Sequence, residues 1–261
     1  MNAKTFSLTT DRIVEALGAL RRTTPRIHCI TNAVAQSFTA NVLLALGAVP
    51  SMTIASEEVA GFASSADALL INLGTLDETR RLAIPIALRA AQEAKRPIIL
   101  DPVFVNRSEI RCAFARNLLQ QRPTLLRVNR EEMAALFPSR EPFEVLAEFG
   151  AILAMTGAED VVGESGRTIR LGNGHPLLAR VTATGCAGGA VIAAFLAVEP
   201  DPVIAAAVGV SVFNIAGEIA AERANGPGSL EPALLDALYL LDGEEISKRL
   251  NIIEQREGAR A

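Results

Sequence analysis

Between Arg26 and Met155, short apolar runs alternate with longer segments of helical periodicity, and this rhythm limits the folds open to the chain more than any other feature. The runs are Arg26–Ile30, Ser51–Ile54, Ala68–Leu73, Pro97–Leu100, Thr124–Val128 and Ala151–Met155. They lack the apolar–polar alternation of a strand with one wet face, so they read as strands buried on both sides. Between them, Ala35–Gly47 sets Phe38, Val42, Leu43 and Leu46 on one helical face and stops at a glycine, while Ser56-Glu57-Glu58 reads as a capped helix start. Asp77–Lys95 is helical by pattern, with Pro85 predicting a kink or a split. A strand–helix–strand repeat of this kind implies an α/β fold: a mostly parallel central sheet, right-handed crossovers, and helices on both faces.

After Gly157 the texture changes. Asp160–Glu164 and Thr168–Leu171 form a predicted hairpin at one edge of the sheet, followed by a turn at Asn173-Gly174-His175-Pro176. From Cys186 onward the pattern predicts helices over Ala187–Val198, Pro202–Ala224, Leu230–Leu241 and Glu244–Glu254. No shift in composition marks a linker and no segment repeats, so a single domain over residues 1–261 is expected.

Composition narrows the function. Half the residues are hydrophobic and only 21% are charged, enough apolar surface for a large core. A net charge of -4 offers nucleic acid no electrostatic attraction, so no nucleic-acid partner is expected. Three cysteines without paired spacing and only two histidines argue against a disulfide framework and a multi-histidine zinc site, and for a reducing compartment. The chain starts polar before the helical pattern of Asp11–Leu20, unlike a secretory signal, and its apolar stretches are broken before the ~18 residues of a membrane span. The expectation is a cytoplasmic protein with no membrane partner.

In open parallel sheets, ligands gather at the carboxyl ends of strands. There the sequence places Thr31-Asn32, Asn72 with Gly74-Thr75, Asp101, Asn129 with Glu132, Thr156-Gly157, and Thr182-Ala183-Thr184-Gly185-Cys186. The last of these opens an apolar helix with small residues, a place where free backbone N–H groups can receive a phosphate and where a Cys186 thiol pKa is expected to be lowered. The same pattern also suits close helix packing around an inert buried cysteine. Asp101 and Glu132 could serve magnesium on a nucleotide, although taken singly each fits an ordinary role better, Asp101 as a turn or cap residue before Pro102 and Glu132 as a solvated acid in a first helical turn. Arg127 could clamp phosphate or simply be a surface arginine. Cys29 and Cys112 have no comparable setting and are taken as structural. The chain contains no phosphate-binding G-x-x-x-x-G-K-[ST], no G-x-G-x-x-G after the first strand, and no G-x-S-x-G.

The segments His28-Cys29-Ile30-Thr31-Asn32, Ser37-Phe38-Thr39-Ala40-Asn41, Leu44-Ala45-Leu46-Gly47-Ala48, Asn72-Leu73-Gly74-Thr75-Leu76, Leu100-Asp101-Pro102-Val103, Thr184-Gly185-Cys186 and Gly226-Pro227-Gly228-Ser229 occur in the order seen in hydroxyethylthiazole kinases. From about Arg26 to Tyr239 the chain resembles that family, a branch of the ribokinase-like superfamily. The resemblance implies a three-layer ribokinase-like fold and ATP-dependent phosphorylation of the side-chain alcohol of 5-(2-hydroxyethyl)-4-methylthiazole, a salvage step toward thiamine. It also implies a homotrimer with substrate sites between subunits. Position by position, it implies substrate contacts from Asn32, Met52 and Ala183, nucleotide contacts from Arg127, Thr156 and Gly185, magnesium at Asp101 and Glu132, and a catalytic Cys186 where other ribokinase-like enzymes carry an aspartate base. Departures from the family pattern are Phe104-Val105-Asn106-Arg107 in place of a glycine-rich stretch, and Ala183 in place of a glycine. Three other readings stand beside this one: a relative that binds thiazole or nucleotide without turnover, a kinase for a different small alcohol, and a transferase with Cys186 as nucleophile and His28 or His175 as base.

Overall fold

The computed structural model describes residues 6–258. Its elements in chain order are α1 (Thr10–Thr23), β1 (Arg26–Ile30), α2 (Gln36–Leu46), β2 (Val49–Ser51), α3 (Val59–Ser65), β3 (Ala68–Asn72), α4 (Glu78–Glu93), β4 (Ile98–Asp101), α5 (Glu109–Leu119) and β5 (Leu125–Asn129). There follow α6 (Arg130–Leu136), α7 (Pro142–Phe149), β6 (Ile152–Thr156), β7 (Asp160–Glu164), β8 (Arg167–Leu171), α8 (Thr184–Leu196), α9 (Pro202–Arg223), α10 (Pro227–Leu240), α11 (Gly243–Arg249) and β9 (Ile252–Glu257).

The strands form one sheet in the order β2-β1-β3-β4-β5-β6-β7-β8-β9. Its first six strands are parallel and the last three pairings antiparallel. Strand order reverses at β1, where the chain goes outward to β2 and then returns to β3, so a crevice opens at the carboxyl ends of β1 and β3. One face is covered by α1, α2, α8, α9, α10 and α11, and the other by α3 to α7, each helix layer closing its own apolar core. β3 and β4 are buried along their whole length, as their apolar runs up to Asn72 and Asp101 require.

Four expectations are corrected. The second strand is Val49–Ser51, not Ser51–Ile54, because this is an edge strand that is only partly buried and ends where the chain turns toward α3. Met52 and Ile54 then pack against the cores on opposite faces of the sheet, and Pro50 needs no ladder donor at an edge. The helix expected over Glu244–Glu254 stops at Arg249, and Ile252–Glu257 adds the outermost strand, so the β7–β8 hairpin lies inside the edge. Of the kink or split expected at Pro85, the split is absent, and α4 runs as one helix from its Asp77 cap. Finally, α9 is 22 residues long and apolar enough to match a membrane span, yet 89% of its 18-residue apolar window is buried inside the fold. It packs on α8 with Gly209 so close to the other helix that a Cβ there would lie 2.8 Å from the Cα of Ile192.

Candidate active site

Asn72 and Asp101 are register partners at the ends of β3 and β4, which sets their side chains together: Asn72 Nδ2 donates to Asp101 Oδ2 at 2.7 Å. Arg127, from β5, donates to the same oxygen at 3.3 Å. Asp101 is 1% exposed, and its other oxygen, Oδ1, has no hydrogen-bond partner among the described residues. Burial pushes its pKa up to about 6; the Arg127 charge opposes that rise and the Glu132 charge adds to it.

The start of α8 descends onto this group. Cβ atoms added at Gly185 or Gly188 would lie 3.8 Å from Arg127, and one at Gly189 would lie 3.3 Å from Asp101 Oδ2. A Cβ at Gly185 or Gly188 would make only ordinary contact, whereas at Gly189 it would crowd the carboxylate, so Gly189 is the position where the helix backbone comes closest to Asp101. Ala183, immediately before α8, has φ 72 and ψ -7, a left-handed conformation in which glycine would be unstrained.

Cys186 lies in that first turn, but its thiol is not acidified as its place at a helix start predicts. Burial, and then the Asp101 charge, push its pKa up to about 12, and the effect of Arg127 does not offset them. At neutral pH it is a thiol. The helix terminus is outweighed by desolvation, which the sequence does not display.

Glu132 is not a solvated acid. Its carboxylate accepts from the backbone N–H of Phe104 and of Asn129, both at 3.0 Å, while Asn129 Oδ1 accepts from the Glu132 N–H, closing a capping box at the start of α6. It thereby ties the loop after β4 to the turn after β5. The loop it holds contains Phe104 at φ 63, in the stretch where the resemblance led us to expect glycine.

A cleft of about 550 Å³ opens beside Arg127, and its lining includes Thr156, Gly185, Asp160, Phe213 and Asn214. The three residues expected to touch nucleotide thus share one cavity. Asn32 and Met52 do not line it. Asn32 lies at the β1–β3 crevice, where its Oδ1 accepts from Thr75 Oγ1 at 2.8 Å and Gly74 approaches so closely that a Cβ would lie 2.5 Å from it. Met52 is half-buried beyond β2.

Asp160 and Asn214 are functional candidates that the sequence pattern did not single out. Asp160 accepts from the Gly157 N–H at 2.9 Å and from Asn214 Nδ2 at 2.6 Å, and burial raises its pKa. The one available signal was an asparagine inside a helix otherwise apolar for turns on end. Neither histidine serves Cys186: His28 is buried against Ser51, and His175 Nδ1 accepts from the Leu177 N–H. The nucleophilic-cysteine reading has no base.

The family model for the hydroxyethylthiazole kinase family matches residues 17–144 and 140–244. The chain belongs to the hydroxyethylthiazole kinase family. It is 44% identical over 250 residues to a probable hydroxyethylthiazole kinase of Agrobacterium fabrum, covering 96% of this chain and 98% of that one. A hydroxyethylthiazole kinase of Pyrococcus abyssi is 41% identical, with 93% and 98% covered. Among solved structures, the hydroxyethylthiazole kinase protein from Pyrococcus horikoshii superposes with a TM-score of 0.89 at 38% identity, over 95% of this chain and all of that one. A ribokinase-like superfamily protein from Enterococcus faecalis, at 16% identity and a TM-score of 0.65, shares the fold. The fold of this family member is therefore ribokinase-like, with three layers as expected.

Proposed function

We propose that this family member is an ATP-dependent kinase for the hydroxyl of 5-(2-hydroxyethyl)-4-methylthiazole, working in the cytoplasm as one kinase domain in the route that salvages thiazole for thiamine. The observation that carries the reading is the convergence of Arg127, Thr156 and Gly185 on one cleft, where Arg127 is bonded in turn to Asp101, whose Oδ1 has no hydrogen-bond partner among the described residues. Arg127 and the α8 amides suit the phosphates, and in-line transfer asks the protein mainly for position and charge.

Magnesium fits this site. Among the described residues no three carboxylate, histidine or cysteine side chains form a metal cluster, and magnesium bound with nucleotide asks for only one or two carboxylates beside phosphate and water oxygens. Asp101 Oδ1 would hold it, and the charge of Glu132 acts on the same place. When bound, the ion would neutralise charge on the phosphates. Cys186, protonated at neutral pH, serves to position the acceptor hydroxyl rather than to take its proton.

Asn32, Met52 and Ala183 are the proposed contacts for the thiazole alcohol. Val34, Leu44, Val49 and Phe62 are large apolar residues exposed on the elements flanking Asn32 and Met52, which supports a homotrimer whose second copy covers this side. Three free cysteines agree with a reducing compartment. Incubating the purified protein with ATP, Mg²⁺ and the thiazole alcohol tests the proposal. ADP and a phosphorylated thiazole are expected, while binding of the alcohol without either product would make this a non-catalytic relative.

A further inference from the structure

His28 lies in the middle of β1, fully buried, with β2 on one side and β3 on the other. Side chains alternate along the strand, so Ile27 and Cys29 join the core under α8 and α9, while Ile30 joins the core under α3 and α4. His28 goes with Ile30: its ring tilts against Phe62 of α3 with centroids 5.9 Å apart. An apolar side chain would fill this space without the cost of burying ring nitrogens. The polarity of His28 is therefore informative. One nitrogen, Nδ1, shares a hydrogen bond of 2.9 Å with Oγ of Ser51, its register partner in β2, and Nε2 has no hydrogen-bond partner among the described residues.

Ser51 is the last residue of β2, and Met52 follows it. On the other side of Met52, Thr53 Oγ1 donates to Glu58 and accepts from the Ala55 N–H at 3.3 Å. Met52 is thus suspended between two fixed neighbours while its own side chain packs toward the opposite face of the sheet from His28.

We propose that His28 is a positioning residue for the thiazole site: by holding Ser51 across the strand pair, it sets the direction in which the chain leaves β2 and so the place of Met52. The proposal rests on the reading of Met52 as a thiazole contact. It is tested on the full-length protein with Ser51→Ala, His28→Leu and the conservative His28→Asn. Two readouts are used: steady-state kinetics for both substrates, and the methyl resonances of 13C-methyl-labelled methionine, with Met52 assigned by Met52→Leu. Loss of one hydrogen bond should raise KM for the thiazole alcohol about five- to ten-fold in Ser51→Ala and His28→Leu, with kcat and the ATP KM within about two-fold. The double variant should be no worse than either single one, and His28→Asn should recover most of the loss. The Met52 resonance should shift or broaden while those of Met133 and Met155 stay in place. Folded variants with an unmoved Met52 resonance and unchanged thiazole KM would overturn the proposal, as would an equal fall in every kinetic parameter. If His28→Leu does not fold, Ser51→Ala, which removes only a hydroxyl, decides. If the unmodified protein makes no phosphorylated thiazole, the functional reading falls and the Met52 resonance alone decides whether His28 positions the segment.

Discussion

Ala183 puts a number on the strain at the site. At φ 72 its Cβ crowds the following carbonyl, a cost of roughly 1 kcal/mol that glycine would escape. Ala183→Gly relieves that strain in the folded state but loosens the unfolded chain by about 0.4–1 kcal/mol, so the net change in stability should lie between zero and a gain of about 0.5 kcal/mol. An ordinary alanine-to-glycine change in right-handed backbone loses that entropy with no relief, so the sign separates the two cases. Urea unfolding at constant slope measures it. If the strained turn must also settle around substrate, relief of about 1 kcal/mol corresponds to roughly five-fold in kcat/KM for the thiazole alcohol. A loss of stability of about 1 kcal/mol would refute the left-handed assignment. Unchanged kcat/KM on every alcohol tested, with ATP still bound, would mean that position 183 does not face the acceptor.

Three further outcomes are expected. Glu132→Gln keeps one of two backbone acceptors, so it should lose about 1 kcal/mol in denaturant unfolding but more than roughly ten-fold in turnover at limiting Mg²⁺; lost stability with normal kinetics would leave Glu132 as a cap only. Between about pH 6 and 4, native Asp101 holds a proton that the unfolded chain releases, which stabilises the fold on acidification, whereas native His28 stays neutral to about pH 4 and destabilises it. Asp101→Asn should therefore steepen the fall in stability across that window by up to about 1.4 kcal/mol per pH unit, and an unchanged slope would return Asp101 to an ordinary carboxyl. Gly209→Ala should cost about 1–3 kcal/mol, because its Cβ would lie 2.8 Å from a backbone atom of α8; a loss under about 0.5 kcal/mol in thermal unfolding would show that the helices part freely.

What could be read in advance follows burial. β3 to β6 were legible because their positions are closed off by helices on both sides, so almost any residue there must be apolar. β2 and β9 were not, since an edge strand answers to one neighbour and keeps polar or mixed residues that mimic a turn or a helix end. Asp101, Arg127 and the Gly185–Gly189 stretch stood out because strand ends and helix starts are local features. Asp160 and Asn214 meet only through pairing of a later hairpin with the sheet and its contact with α9, a relation at long sequence separation. The direction of the Cys186 pKa shift was misread for the same reason: the helix start is visible in the sequence, and the burial beside Asp101 is not.

From Val203 through Phe213 every residue of α9 is buried, whereas α1 hides only Ile13, Ala16, Leu17 and Leu20. A saturation scan should therefore distinguish the two helices by their tolerance alone. Along α1, polar replacements should be accepted and rejected in a wave of about 3.6 residues. Along the first three turns of α9 the wave should vanish, with charge refused at each site, so drift in this family member is confined there to exchanges among small apolar side chains of matching volume.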